Sequence, residues 1–262
     1  LEMSDLDPDS CIPLFNGMQY GKTYDWYPPD TKKKFEESKS EYLERFPWDE
    51  DSITYRVNSH GFRGDDLHPI KSDSFIALGC SCTFGVGVTE EQSWPSVLSE
   101  SLDMHGYNLG APACGVETMF RVLQYWLPIL KSKHVFLLTN PGVRREFFNM
   151  DFTPHMYHTF SAWSTGRYFP GDAHRFLNER EAAISKSRAL YAIKGLCDSH
   201  NVSLDVLETF AEEVIEGLTR PLRSWEEPFR STAQSNLGRD LLHPGPIYHS
   251  FVAKEFQVNY GN

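Results

Sequence analysis

Between residues 74 and 256, short apolar runs alternate with longer stretches whose apolar side chains recur at helical spacing. Ser74–Leu78, Gly106–Leu109, His134–Thr139 and Val202–Leu207 read as strands. Helices are expected after each: from Thr89 through Leu102, over Val116–Leu130, over Leu177–His200, and over Thr209–Leu218 with a closing one at Ile247–Phe256. The continuous apolar character of His134–Thr139 suits a strand buried on both faces. Strands that alternate with helices build a parallel sheet, because each right-handed crossover returns the chain to the same edge with a helix packed on the sheet. The fold class expected is therefore α/β, with helices on both faces of the sheet.

That order also says where chemistry belongs. In open parallel sheets the ligand crevice lies outside the carboxyl ends of the strands. Ser81, Gly110 and Asn140 each follow a predicted strand end, so three separate segments bring a polar or permissive residue to one edge. Near the other end of the chain, Asp240-Leu-Leu-His243-Pro-Gly245 places a carboxylate three residues before an imidazole in a turn. At that spacing the carboxylate can fold back, fix the histidine tautomer and stabilise the imidazolium. A serine hydroxyl becomes a useful nucleophile when such a base takes its proton. Backbone N–H groups of Ser81 and Gly110, with the Asn140 side chain, are candidate donors to a developing oxyanion. His249 falls on the closing helix and is read as a packing or surface residue.

These residues resemble the SGNH hydrolases, the GDSL-type esterases and lipases. The first block of that family, Gly-Asp-Ser-x-Thr-x-Gly, corresponds to Gly79-Cys80-Ser81-Cys82-Thr83-Phe84-Gly85, the second to Asn108-Leu109-Gly110 followed by Gly115, and the last to Asp240-Leu-Leu-His243. The resemblance runs from about Val57 to the end of the chain and includes the lead-in Asn58-Ser-His-Gly-Phe-Arg63. It implies a flavodoxin-like three-layer α/β/α sandwich of about five parallel strands. It also implies a catalytic triad of Ser81, His243 and Asp240, with an oxyanion hole from Ser81, Gly110 and an Asn. Two departures stand out: Cys80 replaces the family Asp, and the third block, Gly-x-Asn-Asp, is absent, with Leu138-Thr-Asn140-Pro-Gly142 in its place. Asn140 is the nearest candidate donor. Arg144 or Arg145 has two readings, a surface ion pair or a group that faces the site and holds an anionic substrate. A thiol, Cys80 or Cys82, is a competing nucleophile.

The 262 residues suffice for one large domain, and 40% hydrophobic content marks a globular chain. We divide it at an irregular N-terminal extension, 1–52, and a hydrolase-like domain, 53–262. One helix is expected in the extension, Thr31–Arg45. A net charge of -11 argues against nucleic-acid partners and gives no sign of attraction to an anionic membrane. The acidic opening residues lack the apolar run of a signal peptide, and five scattered cysteines suggest reduced thiols, so the cytoplasm is the expected compartment. No cofactor or metal is expected: Cys80-Ser-Cys82 lacks the second pair of a zinc site, and Gly85-Val-Gly87 lacks the Lys-Ser/Thr of a P-loop.

The function expected is a serine esterase that cleaves a short acyl ester, such as an O-acetyl group on a carbohydrate or small metabolite. It would act through an acyl-enzyme on Ser81. An acyltransferase using the same site and a degenerate glycan-binding protein are the alternatives. The segment 141–177 is rich in aromatic residues without a clear period, and Trp163, Tyr157 and Tyr168 are the expected substrate-binding side chains. Oligomeric state is left open.

Overall fold

The structure is a computed structural model. It describes residues 9–15, 17–41, 48–140, 144, 146–148, 154–155, 179–209, 214–222 and 237–260. In chain order the elements are β1 (Lys22–Tyr24), α1 (Lys32–Glu41), β2 (Tyr55–Val57), β3 (Ser74–Gly79), α2 (Ser81–Phe84), α3 (Trp94–Leu102), β4 (His105–Gly110), α4 (Val116–Leu130) and β5 (His134–Leu138). They continue with β6 (Phe147–Phe148), β7 (Pro154–His155), α5 (Glu179–Ser199), β8 (Ser203–Glu208), β9 (Arg220–Pro221) and α6 (Pro246–Tyr260).

Five strands form one sheet in the order β4-β3-β5-β8-β9, and every pairing in it is parallel. In order of appearance this is 2-1-3-4-5, the doubly wound arrangement in which the chain reverses direction between the first and third strands. Ser81 follows the first of these strands, so it emerges at the switch point. On one face, Ile76, Leu78, Val135, Leu137 and Val206 pack with Met119, Leu123, Leu127, Leu190 and Ile193 of α4 and α5. On the other, Phe75, Ala77, Phe136 and Leu207 pack with Trp94, Leu98, Val252 and Phe256 of α3 and α6. Residues of opposite parity along β3 thus feed opposite cores, as the two-residue side-chain period demands. The expected three-layer α/β/α sandwich is present.

Several expected boundaries shift. Thr89 and Gln92 do exchange bonds in the manner of a capping box, with N–H to side-chain distances of 3.2 and 3.3 Å. They close a turn, however, and the helix begins only at Trp94. Its first free N–H is satisfied from outside, by Nδ1 of His249 at 3.1 Å. Of the helix expected at Thr209–Leu218, residues 210–213 lie outside the described residues; Glu216–Leu218 form a turn ahead of β9, a fifth strand too short to carry a sequence pattern.

Residues of the extension do not form a separate core. Tyr27, Phe35 and Trp48 pack with Ile53, with Tyr55 and Val57 of β2, and with Phe84, Val86 and Val88 at and after the end of α2. Strand β1 pairs antiparallel with β2. Farther up the chain, the Ser10 and Asp9 carbonyls accept from Trp126 and Arg121 on α4, at 3.1 and 3.0 Å. Among the described residues no helix is long and apolar enough to cross a membrane.

Candidate active site

Ser81 opens the four-residue helix α2, directly after β3. Cys80 holds the strand-to-helix corner, and its carbonyl accepts the N–H groups of Thr83 and Phe84 at 3.0 and 2.9 Å. The Ser81 N–H itself has no acceptor among the described residues, so it stays available as the first donor of a helix start. The helix stops at Gly85, which takes the left-handed conformation at φ 84.

The three residues expected to work together do converge. His243 Nε2 lies 2.8 Å from Ser81 Oγ, and His243 Nδ1 lies 2.6 Å from Asp240 Oδ2. The other carboxylate oxygen, Asp240 Oδ1, accepts the N–H groups of Leu242 and His243 at 3.1 and 3.0 Å. That local turn, with Leu241 at φ 52, presses the imidazole onto its own carboxylate. Burial alone pushes the Asp240 carboxyl up, but the hydrogen bond and charge of His243 and the two N–H groups outweigh it and hold the carboxyl below its ordinary value. A carboxylate that stays ionised beside Nδ1–H leaves Nε2 as the acceptor facing the serine, the tautomer a general base requires.

The turn that carries Asp240 and His243 is anchored by the residue just before it. Arg239 is fully buried. Its guanidinium forks onto Asp30, with Nε to Oδ2 at 3.0 Å and Nη2 to Oδ2 at 2.8 Å, and donates to the carbonyls of Glu50 and Ile53. Its plane also lies over Trp26, 4.0 Å from the ring centre. Asp30 Oδ2 in turn accepts the Tyr55 hydroxyl at 2.6 Å, and the Tyr55 oxygen accepts the Gly87 N–H at 2.9 Å. The Gly87 carbonyl closes the circuit by accepting the Arg239 N–H at 2.8 Å. Gly87 sits at φ 84, and a Cβ there would stand 3.0 Å from Asp240 Oδ1. Gly87 thus permits the close approach of the turn that carries Asp240 and His243. This ring of contacts was not predicted, because Arg239 and Asp30 stand 209 positions apart with no local pattern joining them.

The expected oxyanion donors meet a mixed outcome. Gly110 ends β4 beside α2, but its N–H donates to Asn108 Oδ1 at 2.9 Å, while Asn108 Nδ2 donates to the Thr83 carbonyl at 2.9 Å. The glycine is required for contact instead: a Cβ would lie 2.3 Å from the Phe84 nitrogen. The reading of Gly110 as a donor is therefore corrected; it lets β4 abut the nucleophile helix. Asn140 is buried at the end of β5, and Nδ2 donates one hydrogen to the Cys114 carbonyl. The second hydrogen of that amide remains for a substrate. The loop between Gly110 and α4 that presents Cys114 turns through Ala113 at φ 66.

Cys80 Sγ lies 3.9 Å from Ser81 Oγ. A hydrogen bond from Cys82 and the nearby Arg144 charge hold the Cys80 thiol well below its usual range, while Cys82 is correspondingly raised. The imidazole nevertheless addresses the serine hydroxyl, so the geometry favours Ser81 over either thiol. Of the paired arginines singled out in sequence, Arg144 reaches the Cys80 side chain. Arg145 lies outside the described residues, as do Tyr157, Trp163 and Tyr168. His249 is buried on α6, and burial pushes it down to about 3, so it is a neutral packing residue that caps α3. Among the described residues no group of three or more His, Cys, Asp or Glu side chains is placed to hold a metal ion.

No family model matches the chain, and no curated protein matches it either. Among solved structures it is similar to a protein of the G-D-S-L family from Desulfitobacterium hafniense, with 11% identity over 71% of this chain and 98% of that one and a TM-score of 0.45. It is also similar to the psychrotrophic esterase EstA from Pseudoalteromonas, with 12% identity over 72% and 97% of the two chains and a TM-score of 0.43. An acetyl xylan esterase from Butyrivibrio proteoclasticus gives 14% identity over 74% and 64%, with a TM-score of 0.42. These likenesses are distant, and the chemistry rests on the geometry of Ser81, His243 and Asp240 in this chain.

Proposed function

We propose that this protein is a serine ester hydrolase of the SGNH type. The observation that carries the reading is the unbroken chain of contacts from Ser81 Oγ through His243 to Asp240, at 2.8 and 2.6 Å. His243 Nε2 takes the Ser81 proton as Oγ attacks the ester carbonyl. Negative charge then gathers on the carbonyl oxygen, where the Ser81 N–H and the spare Asn140 hydrogen are the donors at hand. Protonated His243 returns its proton to the leaving alcohol, which departs and leaves the acyl group on Ser81. A water molecule, deprotonated by the same imidazole, then releases the acid. Asp240 stays ionised throughout and holds the ring in register.

The acyl group we favour is short, such as acetyl on a carbohydrate or a small metabolite. Support comes from the sequence, which shows no lipid-scale apolar surface, and from the buried setting of the nucleophile, 7% exposed. Steady-state hydrolysis of 4-nitrophenyl acetate and butyrate by the wild-type and Ser81→Ala proteins tests the reading. The expected loss in kcat is about 10⁴-fold or more, the scale on which removal of a triad member acts. Equal turnover by the two proteins would remove Ser81 from the mechanism.

A further inference from the structure

Among the described residues Arg144 meets no carboxylate. Its Nη1 is shut off from solvent and meets no acceptor. The charges that act on its guanidinium are those of Cys80, Cys114 and Cys82, and the one side chain that bonds it is Cys80. Arg144 as a whole is half-buried. Two buried arginines, Arg239 and Arg121, each have a carboxylate in contact, Asp30 at 2.8 Å and Glu146 at 2.7 Å. A guanidinium withdrawn from water asks for an anion, since its five donors and fixed charge are satisfied by carboxylate or phosphate oxygens in a way that thiols do not match.

Its position says which anion. Cys80 is the residue before Ser81, and its sulfur stands 3.9 Å from the reacting oxygen. Asn140, on the same side through its bond to Cys114, keeps Oδ1 buried and without a partner. Unsatisfied polar atoms in a native interior need a reason, and a missing ligand is one. This wall of the site therefore carries a guanidinium paired with no carboxylate among the described residues, with one buried N–H group left over, and an idle amide oxygen, close to the nucleophile.

We propose that Arg144 is an anion anchor, and that the ester cleaved at Ser81 carries a carboxylate or phosphate close to its scissile carbonyl. The inference rests on the hydrolase reading and narrows its substrate class. The guanidinium binds the charged substituent, places the carbonyl over Ser81 Oγ, and discriminates against neutral esters of the same shape. The charged group can belong to the acyl part or to the alcohol part, since both radiate from the same carbonyl.

Two matched pairs of esters separate these sources. Mono-4-nitrophenyl succinate against its methyl ester puts the charge on the acyl side, and 4-acetoxybenzoate against its methyl ester puts it on the alcohol side. The wild-type protein is expected to show a kcat/KM ratio of about 10- to 100-fold in favour of the anion in one pair, the range for a hydrogen bond to a charged group. Arg144→Gln is expected to bring that ratio close to one, and Arg144→Lys to restore part of it. Parity of anion and neutral ester in both wild-type pairs would overturn the anchor, and that arm needs no variant to fold. A ratio unchanged by Arg144→Gln would overturn it too. Ser81→Ala controls keep the two readings apart. If they abolish turnover while both pairs sit at parity, the anchor alone falls; if they leave turnover intact, the hydrolase reading falls first.

Discussion

Ser81 stands between two walls that are built on opposite terms. On the side of Asp240 and His243, the polar groups that hold the turn are paired. Arg239 meets Asp30 and backbone carbonyls, Tyr55 bridges Asp30 to Gly87, and both oxygens of Asp240 accept hydrogen bonds. On the side of Cys114, Asn140 and Arg144, polar atoms are left over, with Asn140 Oδ1 and Arg144 Nη1 buried and idle. A saturated network has one arrangement and holds a base in register. An unsaturated one waits for a ligand. In the proposed hydrolase the contrast assigns activation of Ser81 to the first wall and choice of substrate to the second.

If the first wall makes the nucleophile, its members should be costly to change. Asp240→Asn is expected to lower kcat by about 10⁴-fold with little change in KM, because the imidazole loses the tautomer that faces Ser81. Stopped-flow and steady-state kinetics on a short-chain ester would check this. A loss smaller than tenfold would mean that the carboxylate only braces the turn.

Next in size is the anchor beneath that turn. Asp30→Ala leaves the Arg239 guanidinium buried without its carboxylate, a change that costs about 3–5 kcal/mol of stability. Urea unfolding of the two proteins measures it. The same variant should lower kcat more than it raises KM, since it loosens the segment that delivers His243. An unchanged midpoint would show the extension to be a passenger.

On the second wall, Asn140→Ala should cost about 10²- to 10³-fold in kcat/KM, the range for one oxyanion donor, with about 1–3 kcal/mol of stability lost at the Cys114 carbonyl. If stability falls and rate does not, the amide serves only to hold the Cys114 loop.

The smallest effect concerns acid. His249 titrates near 3 because burial disfavours its charged form, whereas an unfolded histidine titrates near 6.5. A group whose folded value is depressed leaves stability intact above the unfolded value and withdraws it as pH falls towards the folded one. Between pH 6.5 and 4.5 the protein should lose about 2 kcal/mol from this residue, the slope approaching 1.4 kcal/mol per unit below pH 6. A His249→Asn variant, which keeps an acceptor for the Trp94 N–H, should flatten that slope. Asp240 acts in the same direction at lower pH, its depressed carboxyl contributing above the ordinary Asp range and ceasing to do so in stronger acid.

What the sequence made legible was local. The helix from Val116 to about Leu130 could be read because Met119, Phe120, Leu123 and Leu127 recur on one face. Ser81 and Asp240–His243 could be read because each lies in a short motif whose chemistry depends on residues next to it. The parts that could not be read are those assembled across the chain. The pairing of Arg239 with Asp30 joins the hydrolase-like domain to the extension and follows no period. The two-residue strand β9 is too short to alternate. The N–H of Gly110 was assigned to substrate because a glycine after a strand suggests close approach, yet what approaches is the Phe84 backbone and what accepts is Asn108. Arg144 was left between two readings, since neither charge nor spacing says whether an acid will stand beside it.

The most direct test of the account is covalent. A fluorophosphonate reacts with a serine only when a base has activated it, and peptide mapping by mass spectrometry locates the adduct. The account predicts one adduct on Ser81 in the wild-type protein and none in folded His243→Gln. An adduct on Cys80 or Cys82, or a folded wild-type protein that stays unlabelled, would contradict it.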